Sequence, residues 1–202
     1  MRVIKKKTDK NRQILDAATL EFLHKGVESA SMQRIYETAE VSSRTLYKYY
    51  PTKEVLYDTL INEILEYLEE SYQFDFSKGS SLEDGIERII KTKIEFSLND
   101  SLLNITKIMM GEMLKSRYPS DEQMLRLNKS ELLFVEWVKL KQAEGIVVKD
   151  IDAADIANKF HAVLKADTFW PLLMGRIEKE ELDIDRITKS AKAFFIKMYK
   201  NK

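Results

Sequence analysis

The sequence predicts an all-α fold, with a small N-terminal domain of three helices followed by a larger helical domain. Two observations indicate helix throughout. Only 6 glycines and 3 prolines interrupt 202 residues, and the apolar residues recur at spacings of three and four rather than two. No apolar run approaches the roughly 20 residues of a membrane span, and the charged N-terminus lacks the apolar stretch of a secretory signal. A cytoplasmic location, with no membrane partner, is therefore expected.

The first predicted helix covers residues 11–26. Ile14, Ala18 and Phe22 fall on one face of it, where they can pack against the rest of the domain. Gly26 follows the last turn and is the residue type best suited to a left-handed C-cap. The helix is therefore expected to end there.

Two short helices are predicted next, over residues 31–39 and 42–49. Ser31 and Ser42 can supply the side-chain oxygen of an N-cap at their starts. The second must stop before Pro51, because the residue preceding a proline is pushed out of helical geometry. Two short helices joined by two or three residues and braced by a third form a helix-turn-helix unit. The residues expected to pack inward are Ile35, Ala39, Val41 and Leu46.

Six further helices are predicted, separated by turns. Thr52 caps the first of them, Gly145 ends the fourth, and Asp152 begins the fifth, which is expected to end at Pro171. A turn-rich stretch over residues 74–81 follows the first. The predicted helices cover residues 52–72, 82–99, 102–115, 121–144, 152–170 and 185–200.

Charge is distributed unevenly between the two domains, which we assign to residues 1–53 and 54–202. The first carries 11 basic and 6 acidic residues and the second 22 basic and 27 acidic, although the totals of 33 cancel. A basic small domain on an acidic body is expected where only the small domain meets a polyanion. The basic tail at residues 5–12 either lies along DNA, on phosphate or in the minor groove, or is a frayed, solvated end.

The outward face of the third helix carries side chains suited to DNA. The N-terminal part of a recognition helix reaches base edges. There Arg44 can bond guanine O6 and N7 in a bidentate fork, and Ser43 or Thr45 can adapt to several bases. Ser42 lies at the start of the same face. These four residues are the predicted base-reading end of the helix.

Phosphate contacts are predicted on either side of that helix. Tyr47 and Lys48 lie later in it, where side chains contact phosphate, and Lys53 lies beside the unpaired amides that follow Thr52. The alternative is that each of these residues merely covers a core, as tyrosine and lysine on short helices usually do. Tyr50 is the expected core member.

These stretches resemble the DNA-binding domain of the tetracycline-repressor (TetR) family over residues 14–56. The resemblance implies that the helix over residues 42–48 enters the major groove and that Ser31, Tyr47 and Lys53 contact phosphate. The residues at the family's spacing are Ala17, Ala18, Phe22, Gly26, Ile35, Ala39, Val41, Ser42, Leu46, Tyr47, Tyr50, Lys53 and Leu56.

Two positions depart from the family pattern. Glu40 stands where the family usually has glycine, and Tyr36 where it has a small residue. If Glu40 must adopt a positive φ, the strain is on the order of 1 kcal/mol. Its carboxylate would also lie near the DNA backbone and disfavour binding.

In members of the family the second domain dimerises through its last two helices and encloses a small-molecule pocket. Alanines at positions 153, 154, 157, 162 and 166 would allow close packing of one such helix, and Phe194, Phe195 and Met198 add bulk on the other. The candidate pocket residues are Phe96, Met109, Met113, Phe134, Trp137, His161 and Trp170, with Met110, Phe160 and Phe169 beside them. Each of them would serve equally well as ordinary core.

The resemblance and these residues predict a homodimeric transcriptional regulator, a repressor that a small-molecule effector releases from a near-palindromic operator. The alternative is an architectural or partner-binding protein on the same scaffold without an inducer. Catalysis is not expected, because the chain has no cysteine, no Gly-flanked serine elbow, no phosphate loop and no acidic partner for either histidine. No cofactor or metal site is predicted, and the acidic stretch at residues 176–185 is expected to be a solvated loop.

Overall fold

The computed structural model describes residues 9–71 and 81–201. These residues form ten α-helices and a 3₁₀ turn, which confirms the predicted all-α fold. Within the described ranges, no helix is long and apolar enough to cross a membrane. The elements are α1 (Asp9–Ser29), α2 (Met32–Thr38), α3 (Ser43–Tyr49), α4 (Lys53–Ser71), α5 (Leu82–Leu98), α6 (Asp100–Met113), α7 (Asp121–Ala143), α8 (Ala153–Asp167), α9 (Phe169–Leu173), the 3₁₀ turn (Lys179–Glu181) and α10 (Ile184–Tyr199).

The chain folds as two compact units. One contains the described residues up to Leu68 together with Ser101–Met124, and the other contains the described residues from Glu69 to Asp100 together with the chain from Leu125 onward. The first unit therefore holds α1, α2, α3, most of α4 and nearly all of α6. The predicted loop at residues 74–81 and half of the basic tail lie outside the described residues.

A small apolar core holds the first three helices together. Phe22 of α1, Ile35 of α2 and Leu46 of α3 are almost fully buried. Ala39 is buried as predicted, whereas Val41 is only half-buried. Burying a large apolar side chain stabilises a fold by roughly 1.5–3 kcal/mol. Such contacts are needed here, because helices as short as α2 and α3 are not stable in isolation.

Side-chain caps begin three helices where the sequence predicts them. Ser31, Ser42 and Thr52 each accept the N–H of the residue three positions later, at 3.3, 3.1 and 3.3 Å. At its other end α3 stops at Tyr49, two residues before Pro51. These three caps and the proline therefore fix the boundaries of the helix-turn-helix unit.

Gly26 does not form the predicted left-handed C-cap. Its φ of 72° is positive, but its ψ of 164° is extended, and the helical chain resumes beyond it as far as Ser29. The residue is therefore a kink within α1. Side chains of α6, described below, lie against this kink, and their distance of more than 80 residues along the chain keeps them out of any local pattern.

The predicted helix over residues 152–170 is divided in two. α8 ends at Asp167, Thr168 leaves helical geometry, and the short helix α9 follows. Pro171 lies inside α9 rather than ending the helix before it. A proline is tolerated in the first turn of a helix, because the amide it lacks would have no partner there.

The second unit is built on a cluster of aromatic rings. Phe134 of α7 lies 5.7 Å from the ring of Trp137 and 5.7 Å from that of Phe160 in α8. Phe160 meets Phe195 of α10 edge to face at 5.2 Å. All four side chains are almost fully buried, so the aromatic residues of α7, α8 and α10 form the core of this unit.

The acidic stretch at residues 176–185 lies on the surface, as predicted. All five of its carboxylate side chains are exposed. The amide of Glu178 donates to the Glu181 carboxylate at 2.6 Å, and Lys179 pairs with Asp100. The carboxylates thus serve local capping and surface pairing.

Candidate nucleic-acid interface

α3 presents one polar face and buries the other. Leu46 is fully buried, whereas Ser43, Arg44 and Lys48 are exposed and Tyr47 keeps 49% of its surface. This division follows from the helical period, because residues three and four positions from Leu46 lie on its buried side and the remainder point outward. The exposed set has the arginine, hydroxyl and lysine groups that a major groove accepts.

The hydroxyls at the start of α3 are paired with each other. Ser42 Oγ accepts the N–H of Thr45, and the oxygens of the two side chains lie 2.8 Å apart. Thr45 is half-buried and Ser42 exposed. The pair holds the first turn of the helix in a fixed geometry, and Arg44, between them in sequence, remains exposed.

Ser31 and Lys53 both make bonds within the protein. Ser31 Oγ caps α2, and its N–H donates to the Glu21 carboxylate at 3.0 Å. The Lys53 ammonium donates to the backbone carbonyl of Glu28 at the end of α1. An ammonium has three donors, so this bond leaves two of them for a phosphate.

The first turn of α4 differs from the predicted phosphate clamp. The amide of Val55 is bonded to Thr52. The carboxylate of Glu54 lies in the same turn, and bonds from its own amide and from the Thr52 side chain lower its pKa. A resident carboxylate at a helix N-terminus competes with an incoming phosphate, so Lys53 rather than the free amides remains the phosphate group of this turn.

The two tyrosines that end α3 have different environments. Tyr49 is 39% exposed, with the Lys48 ammonium 5.9 Å from its ring centre. Tyr50 is buried, as predicted. Burial, aided by the negative charges of Glu63 and Tyr49, raises the pKa of Tyr50 to about 12. Tyr50 is therefore a neutral core phenol.

Glu40, in the turn between α2 and α3, has a φ of 53°. The turn is closed by the amide of Glu40, which donates to the carbonyl of Glu37 at 3.1 Å, and by that of Val41, which donates to Tyr36 at 3.0 Å. The Glu40 side chain is exposed. The departure from the family pattern thus falls at the position where a glycine would be free of strain.

The residues predicted to line a pocket do not all belong to one unit. Met109 and Met113 lie in α6 of the first unit and are half-buried. The others lie in the second unit. Of these, Phe134 and Trp137 are buried, Phe96 lies 6.4 Å from the ring of Phe169, and Trp170 is 39% exposed.

His161 has an acidic neighbour that the sequence did not reveal. Its Nδ1 faces a carboxylate oxygen of Glu131, which also lies 3.2 Å from the Lys93 ammonium and 3.6 Å from that of Lys165. His161 is almost fully buried; this burial, with the positive charges of Lys93 and Lys165, lowers its pKa. The expectation that neither histidine has an acidic partner is therefore wrong for His161. The spacing of His161 and Lys165, one helical turn apart, was the only local signal.

The residues predicted for a dimer contact divide by exposure. Ala153, Ala157 and Phe195 are buried in the core of their own subunit. Ala162 and Ala166 of α8 are exposed, as is Met198 of α10 at 53%. The exposed members are the ones that remain available to another molecule.

Comparison with known proteins agrees with this geometry. The sequence model of bacterial regulatory proteins of the tetR family matches residues 14–60, from α1 into α4. A TetR family transcriptional regulator from Pseudomonas syringae pv. tomato has the same fold, with a TM-score of 0.73 and 26% identity over 98% of this chain and 100% of that one.

Curated relatives are more distant in sequence. The HTH-type transcriptional regulator LuxR of Vibrio harveyi is 23% identical over 155 residues, 76% of this chain and 75% of that protein. The nucleoid occlusion factor SlmA of Haemophilus ducreyi is 27% identical over 130 residues, and the match spans 62% of each protein. Regulators of this kind bind DNA and are not enzymes. From the family match, the shared fold and the exposed face of α3, we conclude that the chain belongs to the TetR family of bacterial regulatory proteins and is a DNA-binding transcriptional regulator.

Proposed function

We propose that the protein is a homodimeric repressor that a small-molecule effector releases from a near-palindromic operator. The observation that carries the proposal is the exposed polar face of α3, held outward by the buried Leu46. A single helix-turn-helix covers too little DNA for a specific operator. Two of them on a two-fold axis would meet half-sites roughly 34–36 Å apart.

In this proposal the side chains of α3 divide the work of binding. Arg44 reads guanine through O6 and N7, while Ser43 adapts to the neighbouring base. Tyr47 and Lys48 contact phosphate and set the register of the helix in the groove. The paired hydroxyls of Ser42 and Thr45 hold the first turn and present their remaining lone pairs and protons to the DNA. Ser31 and Lys53 flank the groove and contribute phosphate contacts.

We propose that the subunits associate through α8 and α10. Ala162 and Ala166 lie one turn apart on the exposed side of α8, and Met198 adds an exposed apolar side chain on α10. Small residues allow two helices to approach closely, and the four helices of a dimer would form a bundle. Ala162→Arg should therefore lower the dimer fraction in sedimentation, whereas Asn128→Arg, on α7, should not.

The effector would bind within the second unit, among Phe96, Phe134, Trp137, His161 and Trp170. Apolar walls with a few polar groups are typical of small-molecule sites, and His161 with its Glu131 and lysine neighbours supplies such groups. Met109 and Met113 of α6 are proposed as further effector contacts, since flexible methionine side chains adapt to varied ligands.

α4 is the element through which effector binding would reach the DNA-binding face. At its start Lys53 bonds Glu28 of α1, and near its end Glu69 accepts two bonds from Arg126, at 2.9 and 3.0 Å. A rigid helix fastened at both ends transmits a tilt along its length. An effector can shift the operator equilibrium only if it favours the conformation that binds DNA poorly.

The experiment that tests this function is a titration of candidate effectors into the full-length protein bound to DNA from its own promoter. Compounds are first selected by their ability to raise the melting temperature of the free protein. The proposal predicts that at least one such compound releases the DNA. Unchanged DNA affinity with a compound known to be bound would contradict the induction mechanism.

A second candidate is an architectural or partner-binding role without an inducer. The relative from Haemophilus ducreyi supports it, because that protein is named as a nucleoid occlusion factor rather than as a transcriptional regulator. The burial of Phe134 and Trp137 in a packed aromatic core also favours it. Chromosome-wide mapping of binding sites separates the two, since a repressor concentrates at a few promoters and an architectural protein occupies many sites outside them.

A further inference from the structure

The kink in α1 leaves a backbone amide that a distant side chain binds. Gly26 has a φ of 72° and a ψ of 164°, so the amide of the following residue, Val27, is turned away from the helical pattern. Val27 is fully buried. Its N–H donates to Oε1 of Glu112, near the C-terminal end of α6, at 3.3 Å. A buried amide without a partner is costly, so this carboxylate answers a need that the kink creates.

Glu112 is itself buried, with 4% of its surface exposed. The Lys115 ammonium bonds the same oxygen at 2.8 Å, and a Cβ on Gly26 would lie 2.6 Å from that ammonium. A buried carboxylate is tolerated only when it is paired and hydrogen-bonded. The absence of a side chain at Gly26 therefore makes room for the lysine that neutralises Glu112.

The rest of α6 is fastened to the same unit. Beyond its last turn the Arg117 guanidinium lies 4.5 Å from the ring centre of Tyr57 in α4. Near its first turn Ser101 Oγ accepts a hydrogen bond from Arg12 of α1 at 3.1 Å. α6 is thus a rigid support for α1 at both of its own ends, and Glu112 touches α1 where the chain leaves for α2 and α3.

We propose that Glu112 is a positioning residue for DNA binding, which sets the angle at which α1 leads into the helix-turn-helix by holding the amide after the Gly26 kink. Neither Glu112 nor Val27 touches DNA in this account. The angle between α1 and α2 decides whether Arg44 and the phosphate-binding residues reach their targets together. The inference rests on DNA binding alone and is independent of repression, effector or dimer contacts.

The test compares variants of the full-length protein on two duplexes of equal length. One is selected from a random library by the wild-type protein, and the other is an unrelated sequence. Glu112→Leu removes the acceptor and should weaken binding to the selected duplex about tenfold, the size expected for loss of a hydrogen bond to a charged group. Binding to the unrelated duplex, which depends on charge and not on alignment, should change by less than about twofold.

Two variants serve as controls. Glu112→Gln keeps a side-chain oxygen for the Val27 amide and should retain most of the affinity for the selected duplex. Thr106→Val changes a buried side chain of the same helix whose hydroxyl bonds the carbonyl of Leu102 within α6 itself. It should leave the preference for the selected duplex intact.

The angle itself can be measured, because the chain contains no cysteine. Spin labels at Gln33→Cys in α2 and Leu114→Cys, just beyond α6, report the separation of the two elements. Glu112→Leu should shift or broaden the distance distribution, and Thr106→Val should not. If Glu112→Leu fails to fold, Glu112→Asp, which withdraws the carboxylate by one methylene, gives the same comparison.

Unchanged discrimination between the duplexes in the acceptor-removing variant would overturn the proposal. An equal loss on both duplexes would also overturn it, since that pattern indicates general damage to the domain rather than misalignment. A tenfold loss confined to the selected duplex, with an altered label distance, is the result we expect.

Discussion

The indole ring of Trp137 lies directly on the backbone of Gly85 in α5. A Cβ at Gly85 would stand 2.3 Å from Cζ2 of the ring, closer than any two carbon atoms can approach without bonding. Trp137 in turn stacks on Phe134 and lies 6.4 Å from the ring of Phe195. This glycine therefore determines how closely α5 approaches the aromatic core of the second unit.

Gly85→Ala should destabilise the protein, because the added methyl group overpacks a rigid core at a cost of roughly 1–3 kcal/mol. Gly111→Ala in α6 is the matched control. No atom lies within 4 Å of the position that its Cβ would take, so the better helix propensity of alanine should stabilise by about 0.5–1 kcal/mol. Urea unfolding measures both. Equal effects of the two substitutions would show that the packing against Trp137 is not tight.

Glu40→Gly should stabilise the protein by roughly 1 kcal/mol, since it removes a positive φ from a residue with a side chain. The same change removes a carboxylate beside the proposed DNA surface. Glu40→Gln separates the two effects, because glutamine keeps the backbone strain and loses only the charge. It should tighten DNA binding at low salt without a gain in unfolding free energy. A gain in stability with glutamine would mean that charge, not backbone strain, is the cost.

Glu112 should make stability depend on pH in the acid range. Burial raises its pKa, but the hydrogen bonds from Lys115 and the Val27 amide, with the charges of Lys115 and Arg117, outweigh burial and hold the pKa below its ordinary 4.5. The unfolded state therefore takes up the proton first. The stabilisation is complete above the unfolded pKa and disappears as the pH falls through the folded one.

The comparison that checks this prediction is urea unfolding of the wild type and Glu112→Gln from neutral pH down to about pH 3. The wild type should lose more stability than the variant over the acid part of that range. Parallel curves for the two proteins would contradict the pairing of Glu112 with Lys115 and the Val27 amide.

Lys48→Ala should weaken binding to all DNA sequences about equally, because a bond to phosphate carries no base information. The slope of log affinity against log salt should fall by about one unit for each phosphate that the side chain no longer neutralises. The affinity of the variant, measured over a series of salt concentrations on two different duplexes, checks this. Weaker binding to only one duplex would assign Lys48 to base recognition instead.

Local chemistry in the sequence was enough to predict the helix-turn-helix unit. Ser31, Ser42 and Thr52 are caps that act on residues three positions away, and Pro51 acts on the residue before it, so each boundary is decided within one turn. Tyr50 was predictable as core for the same reason, since it follows α3 directly.

The remaining features depend on residues far apart in the chain. Glu112 and Gly26 meet across 86 positions, and Glu131 reaches His161 from a different helix. No period or spacing encodes such pairs. A lone acid in the apolar stretch "MMGEM" and two basic residues one turn apart in α8 were the only hints. The ψ of Gly26, which made the C-cap prediction wrong, is set by that same α6 contact.

The central claim is that α3 is the helix that reads DNA. The most direct measurement is the affinity of Arg44→Ala for the duplex selected by the wild-type protein, compared with duplexes changed at one base pair at a time. The account predicts a loss of about 1–3 kcal/mol together with relaxed preference at a single guanine position. Full affinity with unaltered base preference would contradict it.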